Sequence, residues 1–146
     1  MKKKLGIIVS LLVVLMMFVG CGSTEPPIED WINDSVTPIL AETFDGVDGI
    51  DYKVEQTGNH EVTVSLKFKG AAELAVYAQD YSTVKETWDE LKGSLCKLST
   101  TMIDNANSYG ISNVDVKIDL YNDLNEDLIL MSVTNGETTY DCVVDK

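Results

Sequence analysis

Basic residues are scarce in this chain, and arginine is absent. Eleven lysines stand against 24 aspartates and glutamates, and the formal net charge is −13 at pH 7 with the histidine neutral. Proteins that bind nucleic acids neutralise phosphates with lysine and arginine, so this composition excludes nucleic acid as a partner. Anionic lipid headgroups are repelled for the same reason. The acidic charge favours solubility and attraction for cations or basic partners.

Residues that bind transition metals or activate nucleophiles are also few. His60 is the only histidine, and Cys21, Cys96 and Cys142 form no Cys-x-x-Cys motif, so the sequence predicts no zinc site. Cys96 and His60 could be drawn as a nucleophile and its base. His60, however, falls in a predicted hairpin turn, where a solvated histidine is the ordinary finding.

Two segments, Ser82–Lys85 and Ser94–Lys97, match the S-x-x-K motif, in which a lysine helps to activate a nucleophilic serine. The partner motifs S-D-N and K-T-G are absent, and two matches within one predicted helix indicate coincidence. We therefore predict a protein that is not an enzyme and needs no cofactor. The alternative is a weak hydrolase that uses Ser82 or Cys96.

The N-terminus has the organisation of an export signal. Three lysines at positions 2–4 precede an uncharged apolar run, Leu5–Val19, which is shorter than the roughly 20 residues of a membrane-spanning helix. The run ends in Phe18-Val19-Gly20-Cys21, which resembles the lipobox of bacterial lipoprotein precursors. The resemblance implies cleavage before Cys21, thioether lipidation of Cys21 with acyl chains such as palmitate, and attachment to the extracytoplasmic face of the cell membrane.

The domain boundaries follow from this signal. We predict a signal peptide at residues 1–20, a lipidated tether at 21–27 and a single α+β domain at 28–146. Removal of the signal leaves eight lysines against 24 acids, a net charge of −16, in 126 of the 146 residues. A chain of this length can form one domain with a modest core.

The start of the domain predicts two short helical segments. Apolar residues recur at helical spacing from Trp31 to Phe44. Pro38 disfavours one continuous helix, because an interior proline removes a hydrogen bond and clashes with the preceding turn. Ser35 is the expected cap of the second segment.

Two runs of alternating apolar residues, Ile50–Val54 and Val62–Phe68, then predict a β-hairpin. A two-residue loop at Gly58-Asn59 would place the apolar side chains of the two strands on opposite faces. A three-residue loop, Gly58–His60, pairs Tyr52 with Leu66 and brings the apolar side chains to one face. We favour the three-residue loop for this reason.

A long amphipathic helix follows the hairpin. Thr83 and Glu86 form a capping-box pattern, and Gly110 is the expected residue after the helix C-terminus. The apolar stripe of the helix comprises Val84, Trp88, Leu91, Leu95, Leu98, Met102, Ala106 and Tyr109. Residues 71–80 are ambiguous between a helix and an extension of the preceding strand.

Three further strands complete the predicted fold. Alternating apolar residues mark Val114–Leu120, Ile129–Val133 and the C-terminal segment. Asn135-Gly136 is a strong hairpin signal, and a simple hairpin pairs Met131 with Tyr140 and Ile129 with Cys142. The sequence thus predicts an α+β fold: a five-stranded, mostly antiparallel sheet with a short N-terminal helical region and one long helix on one face.

The order of lipobox, short helix, hairpin, long helix, glycine and closing hairpins resembles small lipoproteins of Gram-positive bacteria whose function is uncharacterised. The local likeness is greatest at Gly110–Asn113 and the strand that follows. The resemblance implies exposure at the cell surface and agrees with the predicted fold, and it implies no particular activity.

Two candidate binding surfaces follow from the predicted fold. A ligand pocket between the long helix and the sheet would be lined by Trp88, Met131 and Tyr140. An interaction patch on the outward face of the last hairpin would consist of Leu128, Leu130 and Val143, beside Thr139 and Asp141. Residues 71–80 would cover this patch if they pack across it.

An acidic turn is the candidate metal site. Asp123, Asn125 and Asp127 begin like the calcium loop of an EF-hand. Leu128 stands where that loop has its glycine, and Thr134 where it has its final glutamate. We interpret the segment as a solvated turn and predict no metal, with a weak calcium site as the alternative.

Cys96 and Cys142 remain after lipidation of Cys21, and an extracytoplasmic location permits disulfides. Cys96 is predicted at the edge of the long helix's apolar stripe, and Cys142 on the sheet face beneath that helix. A Cys96–Cys142 disulfide and two separate thiols both fit this arrangement, and we favour the separate thiols.

These observations lead to a functional expectation. We predict a membrane-anchored surface lipoprotein that acts as a non-enzymatic binding or interaction module for a protein or a small molecule. The alternative is a small-ligand carrier that uses the pocket beside Trp88.

Overall fold

The computed structural model describes residues 24–145, so the predicted signal peptide and Cys21 lie outside it. The predicted α+β class is confirmed. In chain order the elements are α1 (Ile28–Trp31), a π-helical turn (Ile32–Val36), α2 (Thr37–Phe44), β1 (Ile50–Gly58), β2 (Glu61–Phe68), α3 (Ala71–Asp80), α4 (Ser82–Tyr109), β3 (Asp115–Tyr121), β4 (Ile129–Thr134) and β5 (Glu137–Asp141).

The five strands form one sheet in the order β1-β2-β3-β4-β5. Only β2 and β3 are parallel, and the other three neighbouring pairs are antiparallel. The parallel pair is possible because α3 and α4 intervene between β2 and β3, and a parallel pairing needs a long crossover. The expectation of a mostly antiparallel sheet is therefore confirmed.

One face of the sheet is apolar and lies under the helices. Tyr52 pairs with Leu66, Leu66 with Leu120 and Leu120 with Met131, so these side chains share one face. The helix α4 packs on that face, where Ser99 donates a hydrogen bond to the backbone oxygen of Val116 at 3.0 Å. The opposite face carries polar residues such as Lys53, Lys67, Lys117, Asp119 and Ser132.

The N-terminal helical region is one run interrupted by a π-turn. The backbone N–H of Thr37 bonds to the oxygen of Ile32, five residues earlier, and Pro38 then lies at the start of α2. A proline clashes with the carbonyl four residues before it, and the wider π-turn relieves that clash. The prediction that Ser35 caps a separate second segment is wrong, because Ser35 lies within the π-turn.

The long helix and the glycine that follows it match the prediction, but the N-terminus of the helix does not. The helix α4 begins at Ser82, and no side chain caps it, so the predicted capping box at Thr83 is wrong. Its end at Gly110 is confirmed: Gly110 has a φ of +99°, and the N–H of Ile111 bonds to the oxygen of Ala106 at 2.9 Å, as in a Schellman motif. Residues 71–80 form the helix α3.

The first hairpin has the predicted register and a different loop. Tyr52 pairs with Leu66 as expected, but Gly58 pairs with Glu61, and the strand is irregular between Gln56 and Gly58. A two-residue turn together with one bulge residue shifts the strand by the same amount as a three-residue loop. The apolar side chains therefore reach one face as predicted.

The last hairpin has the predicted turn, but its register differs from the prediction. Asn135 and Gly136 have φ angles of +52° and +83°, as a type I′ turn requires. Thr139 is an extra residue in β5, because Val133 pairs with Thr138 and Ser132 with Tyr140. Met131 therefore pairs with Asp141, and the predicted pairings of Met131 with Tyr140 and of Ile129 with Cys142 are wrong.

Candidate functional site

The predicted ligand pocket is occupied by the core. Trp88 and Met131 are fully buried and belong to the hydrophobic core. Tyr140 is 38% exposed and points to the opposite face of the sheet, beside Ser132. The bulge at Thr139 separates Tyr140 from the other two residues, so the three do not line one pocket.

Asp141 takes the place that the sequence assigned to Tyr140. Its carboxylate is buried and accepts hydrogen bonds from the indole N–H of Trp88 at 2.9 Å and the backbone N–H of Val143 at 3.0 Å. The ammonium of Lys92 lies 2.8 Å from the same carboxylate. Burial raises the pKa of Asp141, but the bonds from Lys92, Trp88 and Val143 outweigh it and hold the pKa below its usual value.

Lys92, which is partly buried, completes this cluster. Burial lowers the pKa of its ammonium, but its bonds to Asp141 and Asp89 outweigh burial, and its pKa lies above the usual value. The Asp141 carboxylate thus has three partners, and the Lys92 ammonium has two. The cluster attaches α4 to the end of β5, and sequence analysis missed it because it places Asp141 on the outward face.

The predicted interaction patch is largely buried. Leu130 is 6% exposed and Val143 is 9% exposed, whereas Leu128 is 52% exposed. Leu130 and Val143 belong to the same hydrophobic core as α3 and α4, and α3 contacts β4. An open apolar patch made of Leu128, Leu130 and Val143 is therefore not present, because only Leu128 faces solvent.

The acidic turn binds a helix terminus. The carboxylate of Asp123 accepts the backbone N–H of Gly70 at 2.7 Å and that of Ala72 at 2.9 Å, so it caps α3 from a distant part of the chain. Burial raises the pKa of Asp123, but the hydrogen bonds from Ala72 and Gly70 outweigh burial and hold the pKa below its usual value. Asn125 accepts the N–H of Asp127 at 3.2 Å.

These contacts bear on the calcium alternative. Both oxygens of Asp123 already have partners, and the side-chain oxygen of Asn125 accepts the backbone N–H of Asp127. Within residues 24–145, no group of three or more His, Cys, Asp and Glu side chains is arranged to hold a metal ion.

Cys96 and Cys142 are separate thiols in the structure. The sulfur of Cys96 lies 3.6 Å from the hydroxyl of Thr138. Burial raises the pKa of the Cys142 thiol, and the Asp141 carboxylate raises it further, which reduces the thiolate that a nucleophile needs. His60 does not join Cys96: its Nδ1 lies 3.0 Å from the backbone oxygen of Ser112.

The chain that leads from the predicted tether into the domain is docked on the end of α4. The carboxylate of Glu25 accepts the backbone N–H of Ser112 at 2.6 Å and its hydroxyl at 3.1 Å. The ring of Pro26 lies against Gly110. The backbone bond from Ser112 is the main cause that lowers the pKa of Glu25 below its usual value. We call the Glu25–Ser112 contact the latch.

The helix α3 lies at the opposite end of the molecule. The parallel strands β2 and β3 begin near the latch, where the N–H of Asp115 bonds to the oxygen of His60 at 2.7 Å. They end where Asp123 caps α3. From there α3 leads through Tyr81 into α4, whose 28 residues extend about 42 Å at 1.5 Å per residue back to Gly110. Nearly the full length of α4 therefore separates Tyr81 from the latch.

One side of α3 faces solvent and carries apolar side chains. Val76 is 59% exposed, Tyr77 45% and Tyr81 58%. The rings of Tyr77 and Tyr81 meet edge to face, with centroids 5.9 Å apart. Residues 71–80 match neither a helix nor a strand clearly in the sequence, so no sequence signal predicts this surface.

A shallow groove lies between the N-terminal helices and the edge strand β1. It has a volume of about 600 Å³ and is lined by Glu29, Ile32, Asn33 and residues 54–59. No sequence-predicted site residue lines it. Its lining is mostly polar, and two of its side chains, Glu29 and Glu55, are acidic.

Comparison of the chain with protein-family models, with curated proteins and with solved structures found no match. Among the helices of residues 24–145, none combines the length and the apolar composition that crossing a membrane would require.

Proposed function

We propose that the protein is a lipid-anchored surface lipoprotein that acts as a binding module without enzymatic activity. The observation that carries the proposal is the N-terminal pattern: lysines at positions 2–4, the apolar run Leu5–Val19 and Cys21 at the lipobox position. Lipidation of Cys21 would attach the chain to the extracytoplasmic face of the cell membrane.

The latch supports this proposal because it relates the anchor to the domain. Cys21 precedes Glu25 by four residues, which span at most about 14 Å when fully extended. The end of the domain that carries Ser112 would therefore stay close to the membrane. The helix α3, at the other end of α4, would project away from the membrane and be accessible to other molecules.

Replacement of Cys21 tests the anchor. Cys21→Ser removes the only thiol at the lipobox, so we expect the protein to leave the membrane fraction or to accumulate as an uncleaved precursor. Cys96→Ser is the matched control, because it removes a thiol and leaves the lipobox intact. Immunoblots of separated membrane and soluble fractions provide the measurement. Normal cleavage with full membrane retention of Cys21→Ser would refute the lipid anchor.

A small-ligand carrier is the second candidate, and the groove beside β1 favours it. Because Trp88 and Met131 are buried in the core, a carrier would use the groove instead of the predicted pocket. Native mass spectrometry of the freshly isolated protein tests this function. A co-purifying small molecule that is lost in Asn33→Trp, which fills the groove, supports a carrier, and an unoccupied protein argues against it.

A further inference from the structure

The solvent-facing side of α3 has a regular composition. Five of its residues are exposed, and four of these, Glu73, Val76, Tyr77 and Asp80, recur at the spacing of one helix face, with Gln79 as the fifth. The opposite side packs into the core through Ala71, Ala72, Leu74, Ala75 and Ala78. We call Glu73, Val76, Tyr77 and Asp80, together with Tyr81, the α3 face: two apolar residues with an acid on either side and a tyrosine at the end.

The acids of the α3 face are not neutralised. Neither Glu73 nor Asp80 takes part in an ion pair within residues 24–145. Lys69, four residues before Glu73 in the sequence, forms no ion pair within residues 24–145 either. Lys67 pairs with Asp51 and Glu126, and Lys85 pairs with Asp89. The centre of the face is thus apolar, and its two ends are negatively charged.

We propose that the α3 face docks a basic amphipathic segment of another polypeptide, with apolar side chains over Val76 and Tyr77 and lysine or arginine beside Glu73 and Asp80. Such charges complement the two acids. They also suit the tyrosine rings, whose faces attract cations. The proposal deepens the proposed function, since it names the partner class of the binding module and rests on display away from the membrane.

Other occupants fit the surface less well. A second copy in a symmetric dimer would place the same acids against each other, and like charges in an interface are repulsive. The chain's own N-terminal segment enters the domain at the latch, nearly the full length of α4 away. Anionic lipid and nucleic acid share the negative sign of the face and are repelled by it.

A peptide titration tests the proposal. The probe is an alanine-based 14-residue helix with two lysines seven positions apart and two leucines between them, matching the separation of Glu73 and Asp80. The control peptide carries glutamate in place of lysine. The full chain, as isolated from cells, is held in phosphatidylcholine nanodiscs with ¹³C-labelled tyrosine rings, and the ring signals are followed by NMR.

The six tyrosines provide internal controls. We expect the signals of Tyr77 and Tyr81 to shift saturably with the lysine peptide, while Tyr109, at the latch end, does not respond. Glu73→Gln with Asp80→Asn should weaken binding about three- to tenfold, because exposed charge pairs each contribute little. The matched control, Glu42→Gln with Glu90→Gln, removes two exposed acids elsewhere and should bind like the original chain.

Three results would overturn the proposal. They are unchanged Tyr77 and Tyr81 signals at millimolar lysine peptide, equal binding of the glutamate peptide, and shifts of Tyr77 and Tyr81 on concentrating the protein without peptide. The last result would identify a second copy as the occupant. If Cys21→Ser shows that the chain has no lipid anchor, the same titration is carried out on the chain in solution, so failure of the anchor and failure of the α3 face remain distinguishable.

Discussion

Asp141 decides how the long helix is joined to the sheet. The residue is 3% exposed, and its carboxylate has as partners an ammonium, an indole N–H and a backbone N–H. A buried carboxylate is tolerated only when such partners offset the loss of hydration. The simple hairpin places Tyr140 at this position, where its ring would line the predicted pocket. At the scale of single residues, Asp141 therefore attaches α4 to the end of the sheet.

Replacement of Asp141 should destabilise the protein and alter its response to acid. Asp141→Asn retains an acceptor for Trp88 and loses the charge opposite Lys92, so we expect a loss of about 1.5–3 kcal/mol, the range for a hydrogen bond to a charged group. Urea unfolding at pH 7 measures the free energy of unfolding. Asp127→Asn, which neutralises an exposed acid, is the control and should leave this free energy nearly unchanged.

The sign of the pH effect follows from the lowered pKa of Asp141. A carboxylate whose pKa is lower in the folded state stabilises the fold above its unfolded pKa of about 3.9, and this contribution disappears as the pH falls through the folded value. The original chain should therefore lose stability below about pH 4 more steeply than Asp141→Asn. Parallel slopes in the two proteins would contradict this role of Asp141.

At the scale of elements, two bulges determine which side chains meet. A bulge near Thr57 brings the apolar side chains of the first hairpin to one face of the sheet. A bulge at Thr139 moves the later side chains of β5 to the face opposite the predicted one. The period of a strand is two residues, so a single inserted residue moves every later side chain to the other face. Tyr140 and Asp141 exchange faces for this reason, although the turn between β4 and β5 is the expected one.

The turn of the last hairpin provides a test with a matched control. Gly136 has a φ of +83°, and a Cβ there would clash with the side chain of Thr100 on α4; Gly46 has the same φ and open space around it. We expect Gly46→Ala to cost about 1 kcal/mol, from backbone strain alone. Gly136→Ala should cost more, by about 1–3 kcal/mol, because the helix must also move.

Urea unfolding of both variants measures the difference. Equal losses would show that α4 does not press against the turn. The double variant Gly136→Ala with Thr100→Ser relieves the clash and should recover the additional loss, which separates contact with α4 from strain within the turn.

At the scale of the whole molecule, the latch and the α3 face lie at opposite ends of α4. The two ends of the protein therefore differ: one end adjoins the proposed anchor, and the other carries apolar side chains between unpaired acids. Trp31, whose indole N–H bonds to Asn105 at 2.6 Å, joins the N-terminal helices to the same helix α4. The long helix therefore connects the point of attachment with the proposed docking surface.

Removal of the latch should free the N-terminal segment without unfolding the domain. Glu25→Ala deletes the acceptor of the Ser112 N–H, so we expect faster amide hydrogen exchange at Ser112 and an unchanged urea midpoint. Glu29→Ala removes an acid of the adjacent helix α1 and should leave Ser112 as it is. Slow exchange at Ser112 in Glu25→Ala would show that another group protects this amide.

Acid should open the latch in the original chain. The pKa of Glu25 is lowered chiefly by the bond from Ser112, so the contact is complete above the unfolded pKa of about 4.3. It is lost as the pH falls through the lower folded value. The amide shift of Ser112 should therefore titrate below about pH 4.3 in the original chain and remain flat in Glu25→Ala.

Local patterns in the sequence determined most of the elements. Alternation of apolar residues identified the five strands, the stripe from Val84 to Tyr109 identified α4, and Gly110 and Asn135-Gly136 identified its end and the last turn. These signals suffice because each depends on a few neighbouring residues whose backbone preferences and burial are set locally. The anchor at Cys21 likewise rests on the N-terminal pattern alone, and it remains a prediction.

The tertiary structure decided the candidate sites. Asp123 meets Gly70 across 53 positions of the chain, Trp88 meets Asp141 across 53, and Glu25 meets Ser112 across 87. Such contacts depend on where whole elements pack, and one bulge at Thr139 is enough to exchange Tyr140 for Asp141. Residues 71–80 form a helix whose small residues pack against the core beside α4 and the sheet, and the side that faces solvent is the α3 face.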